Sequence, residues 1–331
     1  MIDINEIEDC HWCQILTFPN QEKYPITITN DVDDYNLPDD FRFIGKSVLH
    51  PKVELPEEGF RSGCSCQQTR DCKYAGCHCL QDMDFDEDEA IATGQKVYSY
   101  HSQGDKKECL RGTKLHSRDP IYECHAGCAC NESCSNRVVE RGRKIPLNIF
   151  RTDDSRGWGR QSSYFENILL TDLGVRSGVK IKKGQFIDLY LGHIITAKEA
   201  KRRRAASEVA QRKDVYLFAL DKFSDPNSED IRLRQEPYEV DGEFMSGPTR
   251  FINHSCDPNL RIFARVGDHA DKHIHDLAFF AIQDIEPMTE LTFDYVDGGD
   301  TDFLEDSRNR QKVKDMTKCL CGSENCRGYL W

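Results

Sequence analysis

From residue 145 onward, apolar and polar positions alternate with a period of two in short bursts. Ile145, Leu147 and Ile149 alternate, a run over 186–191 follows a turn at Gly184, and 215–220, 262–265, 276–282 and 290–295 continue the pattern. Short runs of this period, bounded by turn residues, are the mark of strands with one face buried, so a mainly β core is expected. One stretch departs from it. Residues 197–212 are rich in alanine and charge and contain no Gly or Pro, which predicts an exposed helix inserted between strands. The first 60 residues carry scattered acids, several prolines and only weak alternation over 24–29, predicting an irregular segment with a strand or two. Residues 297–317 are polar and include Gly298-Gly299, the texture of a linker. No strand leads into a glycine-rich phosphate loop, which argues against a Rossmann-type cofactor domain.

Charge narrows the partner. The 331 residues hold 44 Lys and Arg against 57 Asp and Glu, a net charge of −13. Such a surface repels phosphate backbones and steers basic peptides, so a Lys/Arg-rich protein partner is expected and sequence-specific DNA binding is not. The first residues lack a basic and then apolar leader, and no apolar run approaches the roughly 18 residues of a membrane span, which predicts a soluble intracellular protein. The basic run Lys201-Arg202-Arg203-Arg204 reads either as a solvated helix face or as a nuclear signal.

The chain has 16 cysteines. In a reducing compartment these suit metal thiolate chemistry better than disulfides. One group runs Cys64-x-Cys66-x5-Cys72-x4-Cys77-x-Cys79, and 44 residues later comes Cys124-x3-Cys128-x-Cys130-x3-Cys134. Zinc takes four tetrahedral ligands, so nine thiolates satisfy either two ordinary sites with one spare, or three ions if three sulfurs bridge. The C-x-C pairs favour sharing, because adjacent thiolates reach neighbouring ions more readily than one ion. Such a cluster would fold a module poor in apolar residues, an architectural task. Within this module the acidic run over 82–89 reads as a solvated loop. Near the end, Cys319-x-Cys321-x4-Cys326 supplies only three ligands. Cys256, in Asn253-His254-Ser255-Cys256, is the candidate fourth and would pin the tail across the β core. Cys10, Cys13 and Cys109 are expected to be packed thiols, the C-x-x-C spacing of Cys10 and Cys13 notwithstanding.

These residues resemble a known family, the SET-domain histone lysine methyltransferases with pre-SET and post-SET zinc modules, of the heterochromatin type that modifies lysine 9 of histone H3, and nearest to filamentous-fungal members. The nine-cysteine spacing is similar to the pre-SET triangular cluster of three zinc ions. Arg156-Gly157-Trp158-Gly159, Tyr190-Leu191-Gly192, Arg250-Phe251-Ile252-Asn253-His254-Ser255-Cys256 and Glu290-Leu291-Thr292-Phe293-Asp294-Tyr295 resemble the four SET motifs in order. His193 after Gly192, where glutamate is common, and the extra Cys109 depart from the pattern. The resemblance implies an N-terminal segment over 1–60, a pre-SET module over 61–144, a SET domain over 145–296 with an insert at about 197–235, a linker over 297–315 and a post-SET module over 316–331. It also implies a β core of small sheets with a pseudoknot, one zinc ion in the tail, and a monomeric nuclear protein acting on the H3 tail in nucleosomes and heterochromatin.

The resemblance further implies S-adenosylmethionine as methyl donor, held by Arg156, Gly157, Trp158, Gly159, Tyr216, Arg250, Asn253, His254 and Trp331. Methyl transfer needs a neutral amine, yet only about one lysine in 2,500 is neutral at pH 7; a nearby sulfonium and an apolar aromatic channel both disfavour the ammonium form. Tyr295 and Tyr190 are the expected catalytic pair, aligning the amine for in-line attack. Phe218, Phe293, Tyr190 and Trp331 are expected to wall the lysine channel. A phenylalanine at 293 implies di- and trimethylation, since no hydroxyl fills the space of the growing amine. Tyr216-Leu217-Phe218-Ala219-Leu220-Asp221 resembles the strand that pairs with the histone tail, with Asp221 facing a basic residue. Two other readings stand against the enzyme: a catalytically inactive zinc scaffold on chromatin, and a nucleic-acid-binding zinc protein, which the acidic charge disfavours.

Overall fold

The computed structural model describes residues 10–34, 36–68, 70–152, 173–209 (backbone alone at 207–209), 216–296 and 318–330. The expected linker, the motif around Trp158 and the terminal Trp331 lie outside these residues. Among the described residues no helix is long and apolar enough to cross a membrane.

Among the described residues, the burst over 215–220 joins a second sheet, and the other period-two bursts become strands of one nine-stranded sheet. Its order is Ile26–Thr29, Leu147–Arg151, Leu173–Arg176, Glu290–Phe293, Leu260–Val266, Asp276–Ala281 and Phe186–Tyr190, with Asn253–His254 added beside Glu290–Phe293 and Ile121–Tyr122 beside Leu260–Val266. The inward members of the alternation, Ile145, Leu147 and Ile149, are buried, as are Phe279, Leu291 and Phe293. The expected turn at Gly184 has a glycine-only cause: its φ is +85°, and a Cβ there would lie 2.5 Å from the Leu110 carbonyl oxygen. A four-stranded sheet runs Val48–Leu49, His193–Ile195, Glu239–Asp241 and Leu217–Ala219, the last at its edge.

The N-terminal segment is more deeply built in than its composition predicts. Ile26–Thr29 runs parallel to Leu147–Arg151, with Ile26 opposite Leu147 and Ile28 opposite Ile149. The cysteine-rich module is likewise bonded to the sheet. Ile121–Tyr122 pairs with Arg265 and Val266, and the next residue, Glu123, is fully buried. Its carboxylate accepts from the Tyr100 hydroxyl at 2.6 Å, from the Val138 and Val139 amides at 2.7 and 2.9 Å and from Arg265 Nε at 3.1 Å. A buried carboxylate is tolerated only when satisfied this fully.

Two local expectations change. The acidic run over 82–89 is a loop only as far as residue 86; Glu87–Thr93 is a helix whose N-cap is Asp86, accepting from the Glu89 amide, with Glu87, Asp88 and Glu89 in the first turn. Acids at this end suit the helix dipole, so the charge run that reads as solvated loop is also a helix start. The inserted helix is Ala197–Val209, and its basic run is paired with acidic side chains rather than left bare. Arg203 reaches buried Asp241 at 2.6 Å, Arg204 reaches Glu239 at 2.9 Å and Lys201 reaches Glu236 at 2.6 Å. The pairs to Asp241 and Glu239 staple the helix to the four-stranded sheet.

Candidate functional site

Eight of the nine cysteines expected in the first module are buried, and Cys66 is half-buried. Three groups of four have all sulfurs within 4.8 Å of one another: Cys64, Cys72, Cys124 and Cys130; Cys64, Cys77, Cys79 and Cys124; and Cys64, Cys66, Cys72 and Cys77. Cys128 lies 3.4 Å from Cys79. Donors surround the sulfurs: the Cys64 amide reaches Cys128 at 3.4 Å, the Asn136 amide Cys134 at 3.4 Å, Asn136 Nδ2 Cys124 at 3.6 Å and Arg137 Cys130 at 3.3 Å. So many soft donors in a dry, hydrogen-bonded pocket form a donor set that fits zinc. The overlap of the groups is the arrangement that shared thiolates require.

The tail meets the core where the sequence places it. Cys256 and Cys319 sulfurs are 3.7 Å apart, and His254, Cys256, Cys319 and Cys321 lie within 4.8 Å of one another. Cys326 interacts with Cys319 through its side chain. His254 Nδ1 accepts the Tyr295 amide at 3.1 Å, so the ring hydrogen sits on Nε2, 3.3 Å from Cys256 Sγ. The imidazole therefore donates to the Cys256 sulfur. Burial pushes His254 down to about 4, keeping it neutral.

By contrast, among the described residues Cys10 and Cys13 join no such group of ligand atoms. The Cys10 sulfur accepts from the Cys13 amide at 3.2 Å and caps helix His11–Leu16; Cys109 is buried.

The three expected channel aromatics that the structure describes, Tyr190, Phe218 and Phe293, come together with Tyr295. Ring centroids of Tyr190 and Phe218 are 4.7 Å apart, Phe218 and Phe293 5.8 Å, Phe293 and Tyr295 4.7 Å. Phe279, which the sequence reading missed, backs Phe293 at 4.9 Å; within an apolar strand nothing distinguishes it. Parallel pairing of Asn253 with Thr292 and His254 with Phe293 makes this possible, laying the third and fourth motifs side by side. The Tyr295 hydroxyl donates to the Ile252 carbonyl at 2.9 Å, and Tyr190 to the Tyr216 carbonyl at 2.9 Å. Burial pushes both phenols well above the ordinary tyrosine range.

Arg250 is buried. Its guanidinium lies 4.3 Å from the Tyr216 ring centroid and donates to the Gly242 and Glu243 carbonyls at 3.0 and 2.9 Å, so it braces the turn that faces Tyr190. A Cβ on Gly242 would lie 2.5 Å from the Tyr190 hydroxyl. Gly242→Ala is therefore expected to displace Tyr190 and lower methyl transfer by about tenfold with little change in melting temperature, checked by steady-state kinetics beside a thermal melt. Asp221 is exposed, beyond the edge strand Leu217–Ala219 and apart from the aromatic cluster.

A cavity of about 340 Å³ opens beside this cluster, within the size of small-molecule sites. Asn253, His254, Ser255, Thr289, Glu290 and Thr292 line it from the core, and Leu320 and Cys321 from the tail. Asn253 Nδ2 donates to Glu290 Oε1 at 2.8 Å and to the Leu173 carbonyl at 2.9 Å, which uses its amide donors within the protein. Glu290 escapes a reading that treats its motif as an aromatic strand.

Comparison with known proteins agrees with this architecture. The SET domain model matches residues 172–296 and the Pre-SET motif model residues 19–137. A β core carrying cysteine modules on both sides defines a class, the protein lysine methyltransferases. The chain belongs to the SET-domain family, in the branch with a Pre-SET motif. It is 57% identical over 328 residues to the H3 lysine-9 specific histone-lysine N-methyltransferase dim-5 of Neurospora crassa, covering 98% of this chain and 94% of that one. It is 56% identical over 341 residues to KMT1 of Fusarium mangiferae, a histone-lysine N-methyltransferase specific for H3 lysine-9, with the same coverage. The solved Neurospora DIM-5 structure superposes with a TM-score of 0.73 over 82% of this chain and 95% of that one.

Proposed function

We propose that this chain transfers methyl groups from S-adenosylmethionine to lysine 9 of histone H3, up to the trimethyl state, in the nucleus and at heterochromatin. The single observation that carries the reading is the aromatic enclosure of Tyr190, Phe218, Phe293 and Tyr295 beside the cavity at Asn253. Bound S-adenosylmethionine supplies an electrophilic methyl on a positive sulfonium. Arg156, Gly157, Trp158, Gly159, Tyr216, Arg250, Asn253, His254 and Trp331 are the proposed residues that hold it.

Each phenol spends its proton on a backbone carbonyl, Tyr295 on Ile252 and Tyr190 on Tyr216. What each offers an incoming amine is thus an acceptor oxygen, which fixes the amine's N–H bonds and leaves its lone pair for attack. A phenol pushed well above its usual range stays protonated at neutral pH, so Tyr295 orients rather than removes a proton. The apolar ring walls disfavour the ammonium and supply the neutral nucleophile.

The peptide is proposed to pair with Leu217–Ala219, an edge strand, with Asp221 toward a basic residue. Three shared-ligand zinc ions are proposed for the nine-cysteine cluster and one for Cys256, Cys319, Cys321 and Cys326. The protein is proposed to act as a monomer on nucleosomes without reading DNA sequence, and its modules to follow the boundaries at 60, 144, 296 and 315.

The test is mass spectrometry of recombinant H3 and an H3 peptide after incubation with enzyme and labelled donor. Mono-, di- and trimethylated lysine 9 are expected; Phe293→Tyr is expected to stall at the monomethyl product, the added hydroxyl filling the growing amine's space. No label on any histone sinks the enzyme in favour of a scaffold, and label that survives changing lysine 9 to arginine sinks the site assignment.

A further inference from the structure

One contact joins the tail to the catalytic motif by a route other than sulfur. Arg327, next to Cys326, meets Asp294, the residue between Phe293 and Tyr295. Its Nη1 donates to Asp294 Oδ2 at 2.7 Å and its Nη2 to Oδ1 at 2.6 Å. Both side chains are only 14% exposed. This fork-to-fork pairing fixes direction as well as distance, which a lysine in the same place would not do.

The surroundings tie the pair to geometry rather than to surface charge. The Arg327 amide reaches Cys256 Sγ at 3.4 Å. Asp294 Oδ1 accepts the Val296 amide at 3.0 Å and stands 3.6 Å from His254 Nδ1, the atom that accepts the Tyr295 amide. Cys256 anchors the tail at one point. A second point, away from the sulfurs, sets its angle. The strand Glu290–Phe293 ends just before Asp294, so no ladder hydrogen bond of that strand holds residues 294–296.

We infer that Arg327 is a positioning residue for methyl transfer: clamped on Asp294, it sets how the cysteine tail closes over the lysine channel and holds Tyr295 at its hydrogen bond to Ile252. The inference rests on the methyl-transfer reading for its effect on rate, and on the contact alone for its effect on the tail.

The experiment compares full-length wild type with Arg327→Ala, Arg327→Lys and Asp294→Asn. It reads kcat, KM for donor and H3 peptide, the ratio of mono- to trimethyl product, bound zinc by mass spectrometry, melting temperature, and chymotrypsin cleavage at the tail. Arg327→Ala and Asp294→Asn are expected to lower kcat about tenfold, as loss of one charge-assisted pair predicts, to shift product toward monomethyl and to speed tail cleavage. Zinc content and melting temperature stay at wild-type values. Arg327→Lys is expected to recover part of the rate but not the trimethyl fraction. Unchanged kcat, product ratio and cleavage in Arg327→Ala overturn the inference. So does loss of zinc in proportion to activity, which makes the arginine a support of the metal site alone. If wild type labels no histone while Arg327→Ala still frees the tail, the clamp stands and the methyl-transfer reading falls.

Discussion

Tyr295→Phe is expected to cut kcat by about a hundredfold or more while the protein folds as wild type, measured by single-turnover transfer to an H3 peptide beside a thermal melt. The size follows from what is removed. The ring contacts to Phe293 at 4.7 Å and to His254 at 5.3 Å need no hydroxyl, so packing survives. What goes is the acceptor oxygen proposed to align the amine, together with the hydrogen bond that positions it on Ile252. The Ile252 carbonyl loses its partner, a cost of about 1 kcal/mol, too small to unfold the chain. Near-normal kcat in Tyr295→Phe would remove this residue from the mechanism.

Stripping metal is expected to act at the other extreme, on the whole fold. A structural zinc site contributes about 10–16 kcal/mol to the folding of small zinc modules, against a total stability of about 5–15 kcal/mol for a typical domain. The cysteine pocket is part of a buried cluster in which Cys64, Cys72, Cys124 and Cys134 pack with Leu80, Tyr98, Tyr100 and Phe280. Chelation should therefore extinguish methyl transfer and near-UV circular dichroism together. Excess Mg²⁺ should restore neither, because its hard, oxygen-seeking chemistry does not suit thiolates. Full activity in metal-free protein would contradict an architectural metal.

What the sequence made legible divides by the range of the signal. Strands such as Leu147–Arg151 show themselves because alternation is local, and the cysteines because ligand spacing is. Helix Glu87–Thr93 hides inside an acidic run, since a helix start and a solvated loop share the same composition. The basic run of the inserted helix does not reveal that its partners are Asp241 and Glu239, over thirty positions away. Gly242 against Tyr190, Glu290 against Asn253 and Arg327 against Asp294 are likewise facts of three-dimensional approach. The parallel pairing of Ile26–Thr29 with Leu147–Arg151 has no signature at all in either segment. In the candidate site, resemblance supplied residues by type, and geometry supplied what each one holds.

The place of Glu290–Phe293 in the main sheet bears on how the chain reaches its native state. Among the described residues it is the last strand of that sheet in sequence, yet it lies in the interior, between Leu173–Arg176 and Leu260–Val266. During synthesis Leu173–Arg176 emerges first and has no native sheet neighbour on that side until residue 293 has left the ribosome. Such non-local assembly is slow and leaves sheet edges open to wrong pairing. The strand that completes the sheet also brings Phe293 and leads directly into Tyr295, so the catalytic centre and the last step of sheet formation arrive together.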